Sequence, residues 1–124
     1  MKQRDARTFL WDVDDACGVI EKLVAGKTIE DYGRDTPSRF AIERAFEIIG
    51  EAVRNALDQK PDLADRITNA AEIISFRNRI AHEYWGILSP VVWAIIQEDL
   101  PVLRREVAAI LRNLPPPEDG DIPG

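Results

Sequence analysis

Apolar residues recur at three- and four-residue steps along most of the chain, with polar residues filling the positions between them. From Thr8 to about Ala25 the repeating positions are Phe9, Val13, Ala16, Cys17, Ile20 and Val24, the stripe of an amphipathic helix that Gly26 ends. Asp12, Asp14, Asp15 and Glu21 are interspersed through this helix and are expected to form its solvated face. Thr28-Ile29-Glu30-Asp31 has the form of a capping box cut short by Gly33, which predicts a turn or one short helical turn. Thr36-Pro37 is a cleaner start, with Thr36 as the cap and Pro37 at the first helical position, where its missing N–H costs nothing. Phe40, Ala41, Ala45, Ile48, Ile49, Ala52 and Ala56 carry that helix to about Asp58. Gly50 lies inside it at a cost of about 1 kcal/mol relative to Ala, tolerable where another backbone packs closely.

Pro61, Leu63, Ala64 and Ile67 form a short amphipathic piece, and Thr68-Asn69 reads as a break or a fresh cap. The helical pattern resumes at Ala70 with Ile73, Ile74, Ile80 and Ala81 and is expected to end at Gly86. Ser89-Pro90 opens a last helix running to about Asn113, which Pro101 should kink or divide because it removes one hydrogen bond and crowds the preceding turn. No segment shows the period-two alternation of a strand. The expectation is an all-α, up-and-down bundle of four to five helices, with one domain over residues 1–114 and a Pro-rich acidic tail, 115–124, that is disordered. Trp85 and Trp93 flank the exit from the third long helix, and aromatic residues there suggest a homodimer interface.

With 124 residues and 45% apolar content, the chain can bury one real core. It has no apolar run long enough for a membrane span and no secretory leader, so a cytoplasmic location is expected. Its single cysteine, Cys17, falls in an apolar stripe and reads as a core residue. A net charge of −6 counts against a protein that coats nucleic acid non-specifically, yet leaves room for a local basic site. One His, one Cys and no clustered carboxylate spacing offer no recognisable zinc or two-metal site, and no Gly-rich phosphate loop occurs. No cofactor is implied.

Candidate chemistry is concentrated in Phe76-Arg77-Asn78-Arg79-Ile80-Ala81-His82-Glu83-Tyr84-Trp85-Gly86, which contains the only histidine. On an ideal helix Arg77 and Tyr84 are nearly eclipsed, Asn78 and His82 form an i, i+4 pair, and Arg77 and His82 stand about 140° apart. Spacing alone therefore does not put these groups on one face. Either the helix loosens before Gly86, or the arginine reaches around, or the site is shared between two chains. Taken singly, a histidine in a last helical turn is favoured by the helix dipole, Arg77 and Arg79 suit a surface, and Tyr84 and Trp85 suit packing over a helix end.

Read as Arg77, four residues, His82, one residue, Tyr84, the stretch resembles the R-x4-H-x-Y signature of HEPN-domain proteins, specifically the HepT-like toxins of HepT/MntA toxin–antitoxin pairs. Ile48-Ile49-Gly50-Glu51-Ala52, the Arg77-Asn78 pair, and Val92-Trp93-Ala94-Ile95-Ile96 leading to Leu100-Pro101 are similar to that family in order and separation, over about residues 5 to 112. Ala70 and Ala71 depart from the pattern where a tryptophan is expected nearby. The resemblance implies a homodimer with both signature segments facing a common cleft, and a toxin that cleaves RNA without metal. Arg77 would bind the scissile phosphate, His82 would transfer the proton, and Asn78 would support them by orienting the imidazole or the RNA backbone. It further implies an MntA-like nucleotidyltransferase antitoxin that attaches AMP to Tyr84. Glu51 reads as a helix-packing or salt-bridge residue rather than a catalytic acid. The alternative, which the acidic balance favours, is a non-catalytic HEPN module that binds a nucleotidyltransferase partner or a nucleotide.

Overall fold

The computed structural model describes residues 5–82 and 89–114. Tyr84, Trp85, Gly86 and the tail 115–124 lie outside the described residues, and His82 is described by its backbone alone. The described chain is all-α: α1 (Ala6–Val24), α2 (Ile29–Arg34), α3 (Thr36–Gln59), a 3-10 turn (Pro61–Asp65), α4 (Ala70–His82), α5 (Ser89–Ala94), a π-helical turn (Ile95–Asp99) and α6 (Leu100–Asn113). No described helix is long and apolar enough to cross a membrane.

Asp5 starts α1 by accepting the Thr8 backbone N–H at 3.0 Å, and Gly26, at φ +73°, follows its end in a left-handed conformation that L side chains rarely adopt. The buried face of α1 is Ala6, Leu10, Val13, Ala16, Cys17 and Ile20. Phe9, placed in the stripe by the sequence pattern, is only partly buried; Leu10, one position on, fully occupies the core. Burial pushes the Cys17 thiol up to about 12, so it remains protonated and inert as a small apolar residue. Leu10→Ala is expected to destabilise the fold by about 2–5 kcal/mol, measured by urea denaturation followed by circular dichroism.

The end of α2 and the start of α3 differ from the sequence pattern. Thr28 and Asp31 form a complete capping box, and α2 continues through Gly33 to Arg34 because that box and the burial of Tyr32 hold the segment. For α3 the cap is Asp35, which accepts the Ser38 N–H at 3.1 Å, while Thr36 is already the first helical residue. The Ser38 hydroxyl also donates to Asp35, at 2.7 Å, and these two hydrogen bonds, the hydroxyl's first, hold the Asp35 carboxyl at about 2, below the ordinary carboxylate range.

Helix α3 is the centre of the bundle, packing along α1 on one side and α4 on the other, while α6 closes against α1. Ile42, Val53 and Ala56 of α3 and Val107 of α6 have no exposed surface. Two acidic residues expected on the solvated face of α1 are instead drawn across to α6: Asp14 accepts from Arg104 Nε at 3.0 Å, and Glu21 accepts from Arg104 Nη1. Glu106 accepts both the N–H and the hydroxyl of Thr68, at 2.9 and 2.6 Å. With Asn69 at φ +57°, this contact sets where α4 begins.

Pro101 divides the last helix as expected, in a specific way. The Leu100 N–H bonds to Ile95 O, the wide spacing of a π turn, and Pro101 sits in the first turn of α6, where no intrahelical donor is needed. Trp93 is partly buried, its ring 5.9 Å from that of Tyr32, so it anchors α5 to α2 within the chain.

Candidate functional site

Arg77 stands where α4 crosses α3. A Cβ placed on Gly50 would lie 2.5 Å from the Arg77 Cβ and 3.3 Å from the Ile73 carbonyl oxygen. Any side chain at position 50 would therefore push α4 away, and the glycine's helical cost is offset by this close approach. One residue earlier, Phe76 meets Phe46 of α3 edge to face, with ring centroids 5.2 Å apart and planes at 85°. That contact fixes the rotation of α4 about its own axis. Arg77 is thereby delivered to the edge of the α3–α4 seam.

The Arg77 guanidinium has a described neighbour on each terminal nitrogen. Nη1 donates to Asn78 Oδ1 at 3.1 Å, and Nη2 is 4.0 Å from Glu51 Oε2. The Arg77 side chain is 35% exposed and that of Glu51 58%, so solvent screens the pair. An exposed ion pair of this kind contributes roughly 0–1 kcal/mol to stability. The remaining guanidinium surface can meet an anion, and a planar fork of donors suits phosphate oxygens.

Asn78 is exposed, and its described hydrogen-bond partner is Arg77. Helix α4 stays α-helical through its last residue, His82, so the backbone positions of Arg77 and His82 remain about 140° apart around its axis. Of the three arrangements left open by spacing, loosening of the helix before Gly86 falls on residues 83–86, which lie outside the described residues. The structure thus joins Arg77 to Asn78 and brings Glu51 to them from α3. Tyr84 lies beyond the described residues.

A second feature escaped the sequence pattern. Between α3, α4, the π turn and α6 there is a cleft of about 330 Å³, walled by Phe46, Ile49, Ile73, Phe76, Leu100 and Leu103. Thr68, Asn69, Glu72, Ser75, Arg79 and Asp99 also line it. Arg79, a surface residue by sequence, therefore borders an apolar cleft on a different face of α4 from Arg77. The signal that could have revealed it is the pairing of Phe76 with Arg79 at three-residue spacing. Among the described residues, no group of three or more His, Cys, Asp or Glu could hold a metal ion.

Comparison with known proteins converges on one family. Residues 13–110 match the family described as HepT-like, ribonuclease HepT-like. A Methanocaldococcus jannaschii protein named "Putative RNase MJ1380" is 30% identical over 112 residues, covering 89% of this chain and 100% of that protein. A Thermococcus cleftensis protein named "Probable ribonuclease HepT" is 32% identical over 102 residues, 82% of this chain and 92% of its own length. "Putative RNase TTE0752" of Caldanaerobacter subterraneus is 30% identical over 107 residues, 86% and 95% of the two chains. No solved structure shows significant similarity to the chain.

Proposed function

Because the chain belongs to the ribonuclease HepT-like family, we propose that it is the toxin of a toxin–antitoxin pair, a metal-independent endoribonuclease acting in the cytoplasm as a homodimer. The observation that carries this reading is the Arg77 guanidinium, held between Asn78 and Glu51 at the edge of the α3–α4 seam, five residues before the only histidine. Arg77 binds the scissile phosphate and offsets the charge that develops on it. The 2'-hydroxyl of the RNA is the nucleophile. His82 accepts its proton, the new bond forms to phosphorus, and the 5'-oxygen leaves, giving a 2',3'-cyclic phosphate and a 5'-hydroxyl end.

Two steps of that reaction need proton transfer, and each chain has one histidine. A homodimer resolves the count. Two copies of His82 at a common cleft supply one base for the 2'-hydroxyl and one acid for the leaving oxygen. The same assembly resolves the geometry, since Arg77 and His82 diverge around α4 within one chain and can converge across two. Asn78 supports the site by holding the Arg77 fork.

Tyr84 is the proposed point of control. An MntA-like nucleotidyltransferase antitoxin would transfer AMP to its hydroxyl, releasing pyrophosphate from ATP. A bulky anion there would compete with RNA phosphate for Arg77 and fill the cleft. The test is expression in cells with and without a nucleotidyltransferase encoded beside this chain. Wild type is expected to arrest growth and to be rescued by the partner with AMP on Tyr84, seen by intact mass. Tyr84→Phe is expected to arrest growth without rescue. Toxicity that survives loss of both Arg77 and His82 would overturn the reading.

A further inference from the structure

We propose that Gly50 and Glu51 of α3 are positioning residues for Arg77: one lets its backbone approach, the other aims its guanidinium. The inference rests on the reading above, in which Arg77 binds phosphate. An arginine on a single helix can sweep a wide arc, and a guanidinium that must meet a phosphate gains from having that arc restricted before substrate arrives. Besides the Asn78 hydrogen bond within α4, two restrictions come from α3. The bare Gly50 backbone admits the Arg77 Cβ to a position that a side chain would occupy, since a Cβ at residue 50 would fall 2.5 Å from it. Glu51, the next residue, places Oε2 4.0 Å from Arg77 Nη2.

The division of labour with Asn78 follows from where each partner sits. Asn78 adjoins Arg77 on the same helix, so its hydrogen bond to Nη1 fixes the guanidinium only relative to α4. Glu51 is on the neighbouring helix. Its contact ties the direction of the fork to the bundle, and hence to anything the bundle assembles around. At 58% exposure the Glu51 side chain is open to solvent, and its described ionic contact is the Arg77 guanidinium. A carboxylate beside a phosphate-binding arginine also repels phosphate, so a purely electrostatic role would show as weaker substrate binding. Positioning predicts a different kinetic signature.

The experiment measures kcat and KM for cleavage of total tRNA by full-length homodimer carrying Glu51→Gln, alone and combined with Arg77→Lys, beside the melting temperature of each variant. Glu51→Gln keeps the shape and removes the charge on a half-exposed side chain, so the fold is retained. The expected result is a fall in kcat of about two- to fivefold, in keeping with a long, solvent-screened ion pair, with KM nearly unchanged and an unchanged melting temperature. In the Arg77→Lys background the substitution is expected to have almost no further effect, because an ammonium has no fork to aim. Gly50→Ala, which displaces α4 directly, is expected to lower kcat in both Arg77 backgrounds, because α4 also carries His82.

An unchanged kcat in Glu51→Gln overturns the proposal. So does a lowered KM at constant kcat, which assigns Glu51 to charge repulsion alone, or an equal loss from Glu51→Gln in both Arg77 backgrounds. If Arg77→Lys by itself cleaves at the wild-type rate, it is the phosphate-binding reading of Arg77 that fails, and the two failures are thereby distinguished.

Discussion

Replacing His82 by Ala is expected to slow RNA cleavage by about 10²- to 10⁴-fold, the range that a positioned general acid–base group contributes. The loss should sit at the upper end. The chain has no second histidine, and in the proposed homodimer one substitution would remove both the group assigned to accept the 2'-hydroxyl proton and the group assigned to protonate the leaving oxygen. Substrate binding should change little, because an imidazole adds little to the phosphate contacts. The check is single-turnover cleavage of total tRNA by His82→Ala, with binding of the same RNA followed separately. A rate within a few-fold of wild type would remove His82 from the mechanism.

Arg77→Ala is expected to cost about 10²- to 10³-fold, as loss of one charge-stabilising donor does at other sites where oxyanions develop. Unlike His82, Arg77 should also affect binding, since under the proposed mechanism its guanidinium would meet the phosphate in the ground state as well as in the transition state. The measurable pattern is a lower kcat together with weaker RNA binding and a shallower dependence of binding on salt. Stability should hardly move. The Arg77 side chain is about one-third exposed, and its ion pair with Glu51 is long and screened. A melting temperature far below wild type would mean that Arg77 is a structural residue at the α3–α4 seam.

The sequence and the structure agree most closely where local pattern decides the outcome. The apolar stripes of α1, α3 and α6, the halt at Gly26 and the division at Pro101 all follow from periodicity, a left-handed glycine and a missing donor. Gly50 was legible as a close approach, but its partner was not. That the approaching residue is Arg77 depends on how α4 leaves Asn69 and on the Phe46–Phe76 contact, neither of which is local in sequence.

Long-range contacts account for most of the rest. Asp14 and Glu21 look like a solvated face from within α1, and only the arrival of Arg104, more than eighty positions later, turns them into a tie between helices. Glu106 and Thr68 are joined in the same manner. Asp35 displaced Thr36 as the cap because the chain enters α3 one residue earlier than the Thr-Pro pair suggests. The signature Arg77, His82, Tyr84 was legible as a motif, and its helical placement through His82 follows the expected pattern. The role of Glu51 required the α3–α4 crossing, since no spacing rule links positions 51 and 77.

The central claim is cleavage of RNA by this chain without a metal ion. Its most direct test is incubation of the purified protein, shown by intact mass to carry no AMP, with total tRNA in excess EDTA, followed by analysis of the RNA ends. The account predicts cleavage at the same rate as without EDTA, yielding 2',3'-cyclic phosphate and 5'-hydroxyl ends. Intact RNA in EDTA, or cutting that returns only when a divalent cation is restored, would contradict it.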